Sequence, residues 1–307
     1  MGSAMSLAPS ISLWGVEKFR RQMKFLSEHY SVISIQELET IVREGKPVQK
    51  DLFAITFDDN YRDNYSSAYP ILKEHQLPAT IYLATSFIDS GHPQFIYALI
   101  IALKSTRKKN LDFSSYGLSH ISIETPEMKE EALIKLNDYF KNLSLEEGHK
   151  FKADLLQQLD LDIEDPIFKN QVLSWDEIRE MSDLVSYGGH TVTHPVLSRC
   201  GMDRAETEVT QCKATIEKNI GTSVRTFAYP YGGQEDINDG IISLIQKAGY
   251  TSAVVLFRKP YTLDNIYTLG RVMVSNAMTS NFFTNRYSQA MFACEMSGLF
   301  DLFFVRK

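Results

Sequence analysis

Leu52-Phe53-Ala54-Ile55-Thr56-Phe57-Asp58-Asp59-Asn60 is the stretch on which the fold turns. From Leu52 to Phe57 the run is apolar except for Thr56, without the alternation that a half-exposed strand shows. It therefore reads as a strand covered on both faces, as in a parallel sheet. It stops at two adjacent carboxylates and an asparagine. Parallel α/β barrels assemble their sites at such strand ends.

The pattern repeats further along the chain. Ala79 to Ala84, Val185 to Tyr187, Thr226 to Tyr229, Ala253 to Leu256 and Tyr267 to Val274 are further short strands. Helical stretches separate them: Phe19, Met23 and Leu26 share one face. Ser34 with Glu37 and Ser174 with Glu177 match helix-opening capping boxes. A helix from about Asp203 to Asn219 meets Gly221, placed to stop it. The alternation predicts an α/β fold of βα units, a parallel sheet or barrel. Residues 95–170 break the rhythm with charged helical stretches, Glu127 to Phe140 and Glu146 to Leu159. They read as a helical insertion or cap without a core of its own.

Composition removes several classes. Hydrophobic residues at 44% and charged residues at 23% are globular values, which excludes a long disordered chain. A net charge of -6, with Arg107-Lys108-Lys109 as the densest basic run, argues against a nucleic-acid surface. Cys200, Cys212 and Cys294 lack metal-type spacing and read as free thiols. No apolar run is long enough for a transmembrane segment. Met1-Gly2-Ser3-Ala4-Met5 looks like an expression scar, and no signal peptide is read. The setting stays open between cytoplasmic and cell-envelope associated in a bacterium. The Phe/Leu-rich end Leu299 to Val305 belongs to a helical tail over 281–307. Packing on the barrel is its default; a homo-oligomer seam or a peripheral membrane contact are the other readings.

Three clusters at strand ends carry chemistry. Asp58-Asp59 is costly beside an apolar strand unless it binds something, although such a pair alone is often a turn. One carboxylate can ligate a metal and the other can take a proton if the chain turns there. His190-Thr191-Val192-Thr193-His194 spaces two imidazoles as two ligands of one metal often are. Gly188-Gly189 before it and Pro195 after it favour a loop. Phe227-Ala228-Tyr229-Pro230-Tyr231-Gly232 is a turn that can aim a backbone N–H, such as that of Tyr231, at an oxyanion. Two histidines and one aspartate leave coordination positions open, as catalytic sites do. The spare carboxylate can then act as base.

Taken in order, Thr56-Phe57-Asp58-Asp59, His190-Thr191-x-x-His194 and Tyr229-Pro230-Tyr231-Gly232 resemble the motifs of the NodB-type polysaccharide deacetylases, carbohydrate esterase family 4. The resemblance spans roughly residues 12–275, with 95–170 matching poorly. It implies a distorted (β/α)7-type, TIM-like barrel over 12–280 that includes the insertion. It also implies a divalent metal, zinc first, with cobalt, nickel or iron suiting the donors. The implied activity is removal of acetyl groups from the N-acetylated sugars of a polysaccharide or glycolipid. In that reading a metal-bound water attacks, Asp58 is the base, Asp59, His190 and His194 hold the metal, and Tyr231 gives its backbone N–H to the oxyanion. Pro230, Trp175 and Tyr61 are candidate substrate-binding residues, the aromatic rings as stacking faces for a sugar.

The chain departs from the family pattern in four places. Asn60 stands where glycine is usual, and asparagine also visits the left-handed region. Ala228 stands where an arginine normally holds the catalytic aspartate, which leaves Arg225 and Arg271 as candidates to replace it. No histidine follows His194, so the usual late general acid is missing. Little precedes the Gly15 to His29 helix, so the first strand is absent or supplied differently. The alternatives are an amidase or imidase acting on a small molecule, and an inactive glycan-binding relative.

Overall fold

The structure, a computed structural model, describes residues 3–7, 15–47, 52–256, 265–274 and 287–296. In chain order its main elements begin with β1 (Ser3–Leu7), α1 (Val16–His29), β2 (Ser31–Val32), α2 (Ile35–Arg43) and β3 (Leu52–Phe57). A π-helical turn, Asn64–Ala68, then leads into α3 (Tyr69–Glu74), β4 (Ala79–Leu83) and α4 (Thr85–Ser90). Next come α5 (Phe95–Ser105), β5 (Asn110–Leu111), β6 (Ile121–Ser122), α6 (Pro126–Phe140) and α7 (Leu145–Gln158). The chain returns through α8 (Trp175–Glu180), β7 (Val185–Gly189), α9 (Met202–Ile220), β8 (Thr226–Ala228) and α10 (Asp239–Lys247). It continues with β9 (Ser252–Val255), β10 (Leu269–Val274) and α11 (Gln289–Met296).

All pairings in the large sheet are parallel, in the order β1-β10-β9-β8-β7-β4-β3-β2, and β1 also pairs with β3. That extra pairing curls the sheet into a ring of seven strands, with β2 beside the start of β3. The expectation of a missing first strand is corrected here. Ser3–Leu7 supplies it, aligning Ala4 with both Arg271 and Ala54. It overlaps the stretch that reads as a scar and lies ahead of residue 12, the expected start of the barrel.

Period-two alternation sorts the strand residues into two cores. Phe53, Ile55, Phe57, Ile81, Phe227, Val255 and Val272 join Phe19, Met23 and Leu26 of α1 and Val209 and Ile216 of α9 in one cluster. Their neighbours Ala54, Tyr82, Ala228, Val254 and Leu269 form a second cluster with Ile35 and Leu38 of α2. The first set faces the helical layer and the second faces the interior of the ring. Both faces of β3 are thus covered, and this is why its sequence does not alternate. The same parity turns Thr56 and Arg271 to the interior and carries Asp58 to its C-terminal mouth.

Ser90–Val172 forms a second compact unit. It has its own core, in which Phe95, Leu99, Phe113, Leu136, Phe151 and Leu155 are buried, and an antiparallel pairing of β5 with β6. This corrects the expectation of an insertion without a core. Charged residues on the outer faces of α6 and α7 had masked an apolar stripe of Ala132, Leu136, Phe151 and Leu155. In the tail, Phe292 of α11 is buried with its ring 5.8 Å from that of Phe25. Leu299 to Val305 lies outside the described residues.

Candidate metal centre and its supporting residues

Each of the three strand-end clusters turns sharply. Asp59 and Asn60 have φ of 70° and 46°, Thr191 and His194 of 67° and 59°, and Tyr231 of 62°. Residues other than glycine hold such conformations only where their surroundings insist, and they gather at functional sites. Asn60 fills the role usually given to glycine, and its side chain adds a hydrogen bond to the one its backbone makes. Its Oδ1 accepts from Ala84 N at 2.8 Å, and its carbonyl accepts from Leu173 N at 2.9 Å. The turn after β3 is thereby tied to the end of β4 and to the approach to α8. Ser174 and Ser34 cap their helices with the boxes their sequences encode.

The turns bring Asp59, His190 and His194 together. Their facing atoms form a triangle: His190 Nε2 to His194 Nε2 at 3.1 Å, His194 Nε2 to Asp59 Oδ1 at 3.3 Å, and His190 Nε2 to Asp59 Oδ1 at 3.5 Å. A cation about 2.1 Å from each of three tetrahedral donors would set those donors about 3.4 Å apart. His190 Nδ1 donates to the carbonyl of Ala228 at 2.7 Å, which leaves Nε2 as the lone-pair nitrogen aimed at the triangle. Burial pushes the His194 imidazole down to about 4, favouring its neutral, ligating form. Burial acts the same way on His190, but the adjacent Asp59 and Asp58 carboxylates outweigh it and raise the value. A pocket that raises a buried histidine in this way favours positive charge. The residues present fit a divalent cation.

Asp58 stays out of the triangle. Arg271 Nη1 and Nη2 donate to its two carboxylate oxygens at 2.7 and 2.8 Å, and Nη1 also donates to Thr56 Oγ1 at 3.1 Å. The guanidinium is buried and sits over the Tyr82 ring, 5.4 Å from its centroid. Burial disfavours the charged guanidinium, but the Asp58 carboxylate outweighs this and raises its pKa. Arg225, the other candidate to hold Asp58, is engaged elsewhere. Its Nη2 donates to the buried carboxylate of Glu39 at 3.0 Å, and its side chain is about half exposed.

The remaining candidates separate. The Tyr231 ring lies 4.9 Å from that of His194, at 63°. Pro230 is buried and shapes the turn. Tyr61 is only 2% exposed, so its face cannot stack on a sugar; its hydroxyl donates to Asp59 Oδ2 at 3.4 Å. Trp175 is half-buried, and its Nε1 donates to Asp89 at 2.8 Å. Sequence reasoning missed Glu208 of α9. It is buried, and its Oε2 accepts from the backbone N–H groups of Val192 at 2.9 Å and Thr193 at 2.8 Å. The signal was present: Glu208 lies on the stripe of Ala205, Val209, Cys212 and Ile216 that α9 buries.

The polysaccharide deacetylase sequence pattern matches residues 45–253. The chain belongs to that family. A match to Bacillus subtilis (strain 168) YxkH, named for the same family, is 25% identical over 130 residues, 41% of this chain and 45% of YxkH. The chain thus spans less than half of that relative. The poly-beta-1,6-N-acetyl-D-glucosamine N-deacetylase of Staphylococcus epidermidis is 24% identical over 263 residues, 85% of this chain and 67% of the relative. Among solved structures, the fold is like that of the Streptococcus pyogenes deacetylase PplD in complex with acetate. The TM-score is 0.57 at 18% identity, over 91% of this chain and 92% of that one.

Proposed function

We propose that this member of the family removes N-acetyl groups from a β-1,6-linked N-acetylglucosamine polymer. One observation carries the reading. A carboxylate clamped by arginine, Asp58, is the immediate chain neighbour of a carboxylate that completes a triangle of cation donors. A structural metal site has no need for the first. The named activity of the Staphylococcus epidermidis relative supports the choice of polymer.

Asp59, His190 and His194 would hold a divalent cation, zinc first, which at such a site polarises an acyl oxygen and acidifies a water. Asp58 accepts the proton of the attacking water, and Arg271 fixes its orientation. Both Asp58 oxygens keep a lone pair beyond the one given to the guanidinium. The turn at Tyr231 offers its backbone N–H to the developing oxyanion. The products are acetate and a free amine. Asp58, protonated by the attacking water, can pass that proton to the leaving amine.

The test is acetate release from β-1,6-linked N-acetylglucosamine oligomers. It compares the protein as purified, after chelation, and after chelation with zinc or cobalt restored. Release that chelation abolishes and metal restores is the expected result. Metal bound at one per chain without acetate release would refute the activity while leaving the metal site standing.

A further inference from the structure

The loop that carries both histidines is strained at Thr191 and His194, and the amides of Val192, Thr193 and His194 each have a side-chain acceptor. His194 N donates to Thr191 Oγ1 at 2.9 Å. Val192 N and Thr193 N both donate to Glu208 Oε2, and Thr193 Oγ1 donates to Glu208 Oε1. The loop carbonyls are held from the other side: Thr191 O accepts from Thr85 N at 3.2 Å and Val192 O from Ser86 N at 3.0 Å. A carboxylate in the apolar stripe of a helix is costly unless each of its oxygens is used. Here both are used, and both on Val192 and Thr193, between His190 and His194.

We infer that Glu208 is a positioning residue for the metal centre: it holds the His190–His194 loop in the one shape that converges the two Nε2 atoms. This rests on the assignment of Asp59, His190 and His194 as cation donors. Among the described residues, the cation paired with Glu208 is Arg204, whose Nε lies 3.9 Å from Oε1, beyond hydrogen-bond reach, and whose side chain is partly exposed. The carboxylate is therefore committed chiefly to the loop. Without Glu208, two N–H groups lose their acceptor and the loop relaxes away from its left-handed residues. Partners of this kind outside the ligand shell change metal affinity by about 10–100-fold when removed.

The geometry distinguishes shape from charge. In Glu208→Gln one amide oxygen can still accept from both N–H groups, while the amide NH2 donates to the Thr193 hydroxyl, which also accepts. Glu208→Asp keeps the charge but withdraws it by one methylene. Glu208→Ala removes the acceptor outright.

The experiment titrates chelated wild type and the three variants with zinc and cobalt, following affinity and the visible d–d bands of cobalt. Folding is checked by near-ultraviolet circular dichroism. The expected order is Gln close to wild type, with Asp and Ala weakened by about 10–100-fold and their cobalt bands altered. Should Ala not fold, Gln against Asp decides. Wild-type affinity and spectrum in Asp or Ala would overturn the inference while leaving the metal site intact. A wild type that binds no metal would overturn the site, and the inference with it. Neither result depends on acetate release.

Discussion

Arg271 and Asp58 are 213 residues apart in sequence and form a two-pronged ion pair, Nη1 to Oδ1 at 2.7 Å and Nη2 to Oδ2 at 2.8 Å. The guanidinium comes from β10, although the family pattern would place it at Ala228 on β8. Both positions face the interior of the ring, so an arginine from either strand can reach the mouth of β3. Ala228 leaves space there, and Arg271 with its bed of Tyr82 takes up the role.

Arg271→Lys keeps a cation but loses the fork that fixes both oxygens of Asp58. Acetate release should fall about 100-fold, the scale that a misplacement of about 1 Å costs. Metal content should be unchanged, because the donor triangle does not include Arg271. Arg271→Met leaves Asp58 without its buried partner and should destabilise the fold by about 3–5 kcal/mol in urea denaturation. Unchanged turnover in the lysine variant would show that Asp58 needs no clamp.

Asp58→Asn keeps the shape of the side chain and removes the proton acceptor. Turnover should drop about 100-fold or more, the usual contribution of general base catalysis. Metal content should stay at one per chain by elemental analysis. Near-normal rates would place the base on another residue.

The strands and the separate motifs that supply the donors were legible for one physical reason: each is local, whereas the joining of Asp59 to His190 and His194 rested on the family resemblance. The apolar run of β3, the His190–His194 spacing and the two capping boxes each lie within a single element or turn. What depended on strand order was hidden. Arg271 and Arg225 read as equal candidates to hold Asp58 until the parity of Leu269 and Arg271 is set against Ala54 and Thr56, which turns Arg271 to the interior. β1 was missed because Ser3-Ala4-Met5-Ser6 has none of the β-branched or aromatic residues that mark a strand. Glu208 hid within a helical stripe. Tyr61 misled by residue type, because an aromatic ring suggests sugar stacking only while its burial is unknown.

Tyr61→Phe tests that correction. A ring with almost no exposed surface contributes no stacking to a glycan, so KM for N-acetylglucosamine oligomers should be unchanged. The hydroxyl's long bond to Asp59 Oδ2, at 3.4 Å, is at the limit of a hydrogen bond. Its loss should weaken zinc binding by less than about tenfold, below or at the low end of the range for partners outside the ligand shell. A raised KM with unchanged metal affinity would restore Tyr61 to the substrate face.

Gly189 joins β7 to His190, and its lack of a side chain is enforced by Tyr250. A Cβ there would lie 2.2 Å from the Tyr250 hydroxyl and 2.9 Å from its Cζ. Gly189→Ala should therefore cost about 1–3 kcal/mol of stability, as overpacking does. It should also weaken metal binding, because the displaced backbone carries His190. Tyr250→Phe alone should cost about 1 kcal/mol through the bond that its hydroxyl donates to Val209 O. In the double variant the nearest atom is gone, although Cζ remains close. The combined cost should fall short of the sum, and metal affinity should partly recover; urea denaturation and zinc titration of all four proteins read both. Strictly additive costs would mean that the hydroxyl is not what excludes a side chain at residue 189. The strain would then come from the backbone leading into the His190 loop.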